Sequence, residues 1–233
     1  MKMRAPAVPL VTVDPYFSLW SMADTLNSDV TRHWTGSPNT ATGIAVIDSK
    51  PYSFMGSNVE NNECEDMKQV SLDIDALSTI YTFAAAGVEL TVKFTTPLLM
   101  DDLYLLSRPC SYIHVDAKST DGKNHDIKLK FAFSDEFCIN RKKELETESF
   151  DVNLGSDYKA MRMGSKTQPM LTRAGDDLRI EWGYFYVATK SNNAQVTSMN
   201  RESGLFIYAD VDIDTNNNSD ALVVLAYDDI DSL

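Results

Sequence analysis

Three runs of this chain alternate apolar and polar residues with a period of two, and that periodicity limits the fold more than any other feature. Val88, Leu90, Val92 and Phe94 alternate with Glu89, Thr91 and Lys93. Ile127, Leu129, Phe131 and Phe133 alternate with Asp126, Lys128, Lys130 and Ala132. Leu205, Ile207, Ala209, Val211 and Ile213 alternate with Phe206, Tyr208, Asp210, Asp212 and Asp214. Successive side chains of a strand point to opposite faces, so each run predicts a strand with one buried face and one wet face. Counting the shorter runs gives roughly a dozen strands and no convincing amphipathic helix. That order reads as an all-β fold, a large antiparallel β-sandwich with many strands and little helix.

The connections are read from turn chemistry. Asp48-Ser49-Lys50 and Ala86-Gly87 predict tight hairpins. The run around Ile113 and Val115, the Asp121-Gly122 turn and the run from Ile127 predict a third hairpin. Pro6 and Pro9 put Val8–Val13 at an edge, since proline brings no donor to a ladder. Pro97–Pro109 reads as a crossing between sheets, and Arg141–Ser165 as an irregular excursion or a short helix. The stretch Leu171–Lys190 is the centre of the reading. A turn at Ala174-Gly175-Asp176-Asp177 leads into an aromatic strand, Leu178 to Ala188, expected to be covered on both sides.

A chain of 233 residues with 43 % hydrophobic content can bury a sizeable core. Its 21 Lys+Arg stand against 34 Asp+Glu, a net charge of −13, and its longest cationic run is Arg141-Lys142-Lys143. Nucleic acid is therefore not an expected partner, because phosphate binding needs clustered cations. No stretch approaches the roughly 20 apolar residues of a membrane helix, and MKMRAPAVPL has no apolar signal region. Cys64, Cys110 and Cys138 are widely spaced and odd in number, which points to buried thiols rather than a disulfide framework.

Motifs for chemistry are sparse. Asp210-x-Asp212-x-Asp214-x-Asn216 resembles a calcium loop but lacks its glycine and closing glutamate, so the wet face of a strand explains it more simply. His33, His114 and His125 have no metal-ligand spacing. There is no GxSxG elbow, and Ser156-x-x-Lys159 lacks its companion motifs. The pairs Asp101-Asp102, Asp176-Asp177 and Asp228-Asp229 put neighbours on opposite faces of a strand, so none makes an acid/base couple by itself. The polar stretch Met22–Thr42 is a long loop that holds Arg32, His33 and Trp34. Such a loop is either a binding loop or an Ω-loop packed on its own side chains.

RAPAVPLVTVDPYFSLWS followed by TRHWTG resembles the opening of the secreted glutaminase-A-type family. GVELTVKFTTPLL, SRPCSYI, DGKNHD and RAGDDLRIEWGYFYVA resemble its second segment, with Glu181 where Asp is more usual. The resemblance implies a supersandwich-like β region made of segments 1–66 and 67–233, packed as one unit. It implies a helical domain of the same parent protein as partner, a secreted or periplasmic location, and no cofactor. The implied activity of the parent is hydrolysis of L-glutamine, and no catalytic residue or metal ligand transfers to this chain. Candidate cleft or docking residues are Trp20, Arg32, His33, Trp34, Asp176, Asp177, Arg179, Glu181 and Trp182. A partnerless docking surface would also drive homo-association. The alternative is a carbohydrate-binding or accessory β-sandwich of a glycoside-hydrolase-like enzyme, with Tyr112, Trp182, Tyr184, Tyr186 and Tyr208 as an exposed platform in the carbohydrate-binding case.

Overall fold

The computed structural model of the protein describes residues 5–57, 64–140, 144–175, 178–190 and 192–229. In chain order the first strands are β1 (Val8–Thr12), β2 (Ser18–Ser21), β3 (Ala41–Ile47), β4 (Lys50–Met55) and β5 (Glu65–Asp66). They are followed by β6 (Lys68–Ile74), β7 (Ser78–Ala85), β8 (Val88–Thr95), a short helix α1 (Leu103–Leu106), β9 (Cys110–Ser119) and β10 (Asp126–Ser134). The rest are β11 (Thr147–Val152), β12 (Tyr158–Ser165), β13 (Tyr184–Lys190), β14 (Ala194–Arg201), β15 (Gly204–Asp214) and β16 (Asp220–Asp228).

The strands form a six-stranded sheet in the order β14-β15-β10-β3-β4-β5 and an eight-stranded sheet in the order β11-β12-β13-β16-β9-β8-β7-β6. β1 and β2 pair separately, with Pro9 beside a register shift, an irregular position that suits a residue without an N–H. Pairing is antiparallel except between β4 and β5. This is the all-β sandwich that the period-two runs predict.

Its core is the set of residues that alternate inward from both sheets, including Leu90, Val92, Val115, Leu129, Phe131, Val187, Val223 and Leu225. Five buried rings gather at one end: Phe17, Phe133, Phe137, Phe185 and Tyr227. Phe137 stacks on Phe185 at 4.6 Å between centroids, and Phe17 lies 5.0 Å from Tyr227. Phe17, from the β1–β2 unit, thereby joins rings carried by β10, the turn that follows it, β13 and β16. On the wet face of β15, Asp212 stands opposite Lys128 and pairs with it at 3.4 Å, while Asp210 stands opposite Lys130. The acidic row is thus one side of a cross-strand charge ladder.

Several expectations need correction. β9 and β10 are not a hairpin: β9 lies between β16 and β8 in one sheet, and β10 between β15 and β3 in the other. Both bury an apolar side in the core, but from different sheets, and residues 120–125 cross between them. His125 pins that crossing. It is buried, with Nδ1 2.6 Å from Asp48 Oδ2 and Nε2 3.0 Å from Asp121 Oδ1. Conversely, residues 97–109 do not cross, since β8 and β9 are neighbours in the same sheet. Residues 147–165 form β11 and β12 rather than a helix or an excursion. The key strand begins at Tyr184, not Leu178, and only Phe185 and Val187 enter the core from its first half, Tyr184 and Tyr186 being half-buried on the outer face. No disulfide joins the cysteines among the described residues; Cys138 is buried, whereas Cys64 and Cys110 are only partly so.

Candidate functional site

The late start of β13 follows from Gly183. Its φ is +80°, and a Cβ there would lie 2.2 Å from the Asp228 carbonyl oxygen. Only glycine fits, and the chain before it must leave the sheet. Segment 178–182 therefore swings away over the end of β16 and encloses a cavity of about 540 Å³. Gln168 holds the bend: its side chain accepts from Gly183 N–H and donates to Gly183 C=O at 3.2 Å. Tyr227 Oη donates to Trp182 C=O at 2.7 Å, so the cavity floor is tied to its wall.

The walls come from four places in the chain. The turn between β1 and β2 contributes Asp14 and Tyr16, and the connection from α1 to β9 contributes Ser107 and Pro109. Residues 169–175 and 178–182 contribute Leu171, Arg173, Arg179, Ile180, Glu181 and Trp182. The end of β16 contributes Tyr227, Asp228 and Asp229. Ile180 N–H donates to Tyr16 C=O at 3.4 Å, which fastens two of these walls together.

The charged groups differ in how far they are satisfied. Arg179 spans the cavity wall and the long loop, donating through Nη1 to Pro38 C=O at 2.9 Å and to Asn39 Oδ1 at 3.3 Å, and through Nη2 to Asn140 C=O. Arg173 donates through Nε to Glu181 Oε2 at 2.8 Å and through Nη2 to Glu144. Glu181 is only 3 % exposed. Its second oxygen, Oε1, is buried with no hydrogen-bond partner among the described residues. Asp14 accepts N–H bonds from Tyr16 at 2.7 Å and Phe17 at 3.0 Å. Part of its residue surface meets solvent, yet the packing around the carboxyl raises its pKa, the turn's N–H groups lower it, and the Asp229 charge raises it further. Burial also drives the Tyr227 hydroxyl well above its usual pKa, with Cys138 and then the nearby aspartates adding to the effect.

Of the residues singled out from sequence, Arg179, Glu181 and Trp182 line this cavity. Trp20, Arg32, His33 and Trp34 lie behind it. Trp20 and Arg32 exchange backbone hydrogen bonds of 2.7 and 2.9 Å, and Trp20 Nε1 is buried without a partner among the described residues. Arg32 donates to Gly36 C=O at 3.0 Å and pairs with Asp29 at 3.2 Å. His33 is fully buried, with Nε2 3.0 Å from Pro15 C=O and Nδ1 3.0 Å from Thr35 Oγ1. Trp34, although 49 % exposed, donates from Nε1 to the same Pro15 carbonyl at 2.6 Å. His33 and Trp34 brace the Asp14–Tyr16 turn through the Pro15 carbonyl. Asp176 and Asp177 lie outside the described residues.

Sequence reasoning missed Asp14, Arg173, Asp228 and Asp229. The rule that neighbours on a strand diverge does not apply to Asp228 and Asp229, because β16 ends at Asp228 and Asp229 is already beyond it. A readable signal for Asp14 was Asp-Pro-Tyr-Phe, an Asx turn that must face whatever follows the strand. The five platform aromatics do not share one surface. Tyr208 belongs to the six-stranded sheet, and the Tyr184 ring is covered by the Arg162 guanidinium at 4.2 Å. All five are half-buried.

Chemically, the cavity joins apolar walls to several carboxylates, and among the described residues no histidine or cysteine lines it. His114 instead meets Asp220 at 3.7 Å on the outer surface. This is an arrangement suited to binding. No helix among the described residues is long and apolar enough to cross a membrane.

Known proteins place the chain among relatives. Residues 77–224 match the family described as a domain of unknown function (DUF5127), and residues 1–63 match a second one (DUF4964). Glutaminase A of Aspergillus oryzae is 29 % identical over 194 residues, which cover 80 % of this chain and 27 % of that protein. The chain thus spans about a quarter of the length of this curated relative. Among solved structures, a candidate kojibiose phosphorylase from the human microbiome aligns with a TM-score of 0.46 and 8 % identity, covering 92 % of this chain and 26 % of that one. HI1317 aligns with a TM-score of 0.41 and 8 % identity, covering 97 % of this chain and 100 % of that one. Likenesses this distant carry no weight for fold or activity. The chain belongs to the DUF5127 family, and its two matched segments resemble the N-terminal region of glutaminase-A-type proteins.

Proposed function

We propose that this chain is the accessory β-sandwich of a secreted hydrolase of the glutaminase-A type. In this reading segments 1–66 and 67–233 act as one rigid unit that seats a helical domain of the same parent protein and lends a loop to its cleft. The observation that carries it is the apolar excursion between β8 and β9. Met100 is 85 % exposed, Leu103 74 % and Tyr104 71 %, and α1 buries none of its residues. Met100, Leu103 and Tyr104 turned outward cost hydration free energy unless something covers them. The excursion runs on through Ser107 and Pro109 into the cavity wall, so one partner surface would cover both. The match to Glutaminase A over only 27 % of that protein's length supports a larger parent, with glutamine as its substrate.

The test compares ammonia release from glutamine by this chain and by the same chain continued through the helical domain. Activity in the longer protein alone supports the accessory role. Activity in this chain alone refutes it. Inactivity of both removes glutamine as the substrate. Replacing Leu103 and Tyr104 by serine should weaken the association of separately expressed parts, and an unchanged affinity would move the docking surface elsewhere.

A further inference from the structure

We propose that the outer face of β11, β12, β13, β16 and β9 seats the helical domain, with Arg162 receiving a carboxylate that this partner sets among apolar side chains. The inference rests on the helical partner proposed above and adds where, and by what chemistry, it docks. It starts from the ladder register. Phe150, Arg162, Tyr186, Ala226 and Cys110 stand opposite one another across these strands, and Val152, Ala160, Ala188, Val224 and Tyr112 form the neighbouring row. Residues opposite one another in a ladder share a face, and this one points away from the core that Met163, Phe185, Val187, Val223 and Leu225 fill. An antiparallel sheet that meets water ordinarily turns polar residues to its wet face. The protein does so elsewhere: Lys118 stands opposite Glu89 and His114 opposite Lys93 in the same sheet, and Lys128 pairs with Asp212 in the other. In these two rows only Arg162 carries a charge, with Glu148, Asp228, Lys190 and His114 in the rows that bound them.

Arg162 is held in place but not neutralised. Its guanidinium lies 4.2 Å from the Tyr184 ring centroid and 5.3 Å from that of Phe150, and Nη1 donates to Tyr186 Oη at 3.2 Å. Asp228 acts on it electrostatically but forms no ion pair with it. Nε and Nη2 make no hydrogen bond among the described residues, and neither is sealed from the surface. A guanidinium fixed between rings is a preorganised fork for a carboxylate, and apolar neighbours that exclude water strengthen the charge-assisted bond. Since the chain carries a net charge of −13, attraction for an acidic side chain is local to this patch and orients the partner. A sugar fits less well, because the guanidinium already lies over the rings of Phe150 and Tyr184, and a sheet face is not the cleft that a small ligand needs. The patch is also continuous with the exposed excursion. Tyr112 ends its second row, and Arg108 both stacks on Tyr104 at 4.2 Å and acts on Tyr112. A partner that covers Met100, Leu103 and Tyr104 thus meets the edge of the patch.

Hydroxyl-radical footprinting read by mass spectrometry compares this chain with the same chain continued through the helical domain, and this first comparison needs no variant. In the longer protein oxidation of Phe150, Tyr186 and Tyr112 should fall several-fold, together with that of Met100 and Tyr104. Arg162→Glu in the longer protein should return the outer-face residues to the oxidation of this chain alone. Arg162→Lys, which keeps the charge but not the fork, should give an intermediate level. Because Arg162 also orders the rings around it, Phe150→Ser on the edge strand β11 is the second variant, with the same loss of protection expected at Tyr186 and Tyr112. Phe185, in the core, should stay protected in every variant that folds. Protection of the excursion without the outer face overturns the inference and leaves the helical partner standing, whereas protection of neither overturns both. Outer-face protection that survives Arg162→Glu and Phe150→Ser refutes the carboxylate contact. Protection of this chain by itself at rising concentration assigns the face to a second copy, and protection by added polygalacturonate assigns it to an acidic glycan; either result overturns the inference.

Discussion

The loop 22–40 and the segment 169–182 carry the same kinds of side chain and use them differently. Each sets a tryptophan beside an arginine and a second ionisable group. In the loop, Arg32 closes on Gly36 and Asp29, and both ring nitrogens of His33 meet oxygen atoms. In the segment, Arg179 is engaged through both of its Nη atoms, and Glu181 keeps a buried oxygen without a partner among the described residues. Residue type alone therefore does not separate an anchor from a site. Position does: the loop's polar groups close on the loop and on the turn beside it, whereas Arg179, Glu181 and Trp182 line a cavity.

The hinge of the segment should be the most sensitive position in this comparison. Gly183→Ala must combine a positive φ with a Cβ 2.2 Å from a backbone oxygen. We expect a loss of about 2–4 kcal/mol in denaturant unfolding, and a neutral result would show that the segment is not set by this bend. Next, His33→Ala removes a fully buried ring with two polar contacts, and about 2–3 kcal/mol should go with it. If its loss were instead negligible with binding impaired, the loop would be a site and not a brace. Glu181→Gln keeps an acceptor for Arg173, so about 1 kcal/mol or less is expected in the same assay. A larger loss than that of His33→Ala would reverse the assignment of the two regions.

Two smaller effects appear as pH dependence. Asp48 and then Asp121 raise the pKa of His125, while the Lys123 N–H and then His125 hold Asp121 down to about 2. The stabilisation from His125 is fully present below its ordinary value of 6.5 and is lost as pH rises through the raised folded value. That from Asp121 is present above 3.8 and is lost as pH falls toward about 2. His125→Gln should flatten the alkaline side of a stability profile; an unchanged slope would locate the pH dependence in another group. Asp14 has the opposite sign, because its folded pKa is raised. Asp14→Asn keeps the turn's acceptor and removes the charge, so a small gain is expected at neutral pH. The gain should vanish as acid protonates the natural residue, and a loss at neutral pH would mean that the charge is already compensated.

Alternation along single segments was readable because it depends only on the two-residue period of a strand and on which side meets water. Hence the all-β class, the inward rows of β8, β10 and β15, and the turns at Asp48-Ser49 and Ala86-Gly87 follow from the residues alone. Asp48 and Ser49 indeed both take positive φ, at 48° and 74°. Arg179, Glu181 and Trp182, candidates from the resemblance and from an aromatic stretch after a turn signal, line the cavity. Which strands pair was decided only in three dimensions. β9 and β10 both bury apolar rows, and the pattern is identical whether the rows share a sheet or oppose each other across a core. The cavity was hidden for the same reason: Asp14, Glu181 and Asp229 lie far apart along the chain, and the bend at Gly183 and the end of β16 bring them to one place. Periodicity is local, whereas enclosure requires surfaces from distant segments to meet.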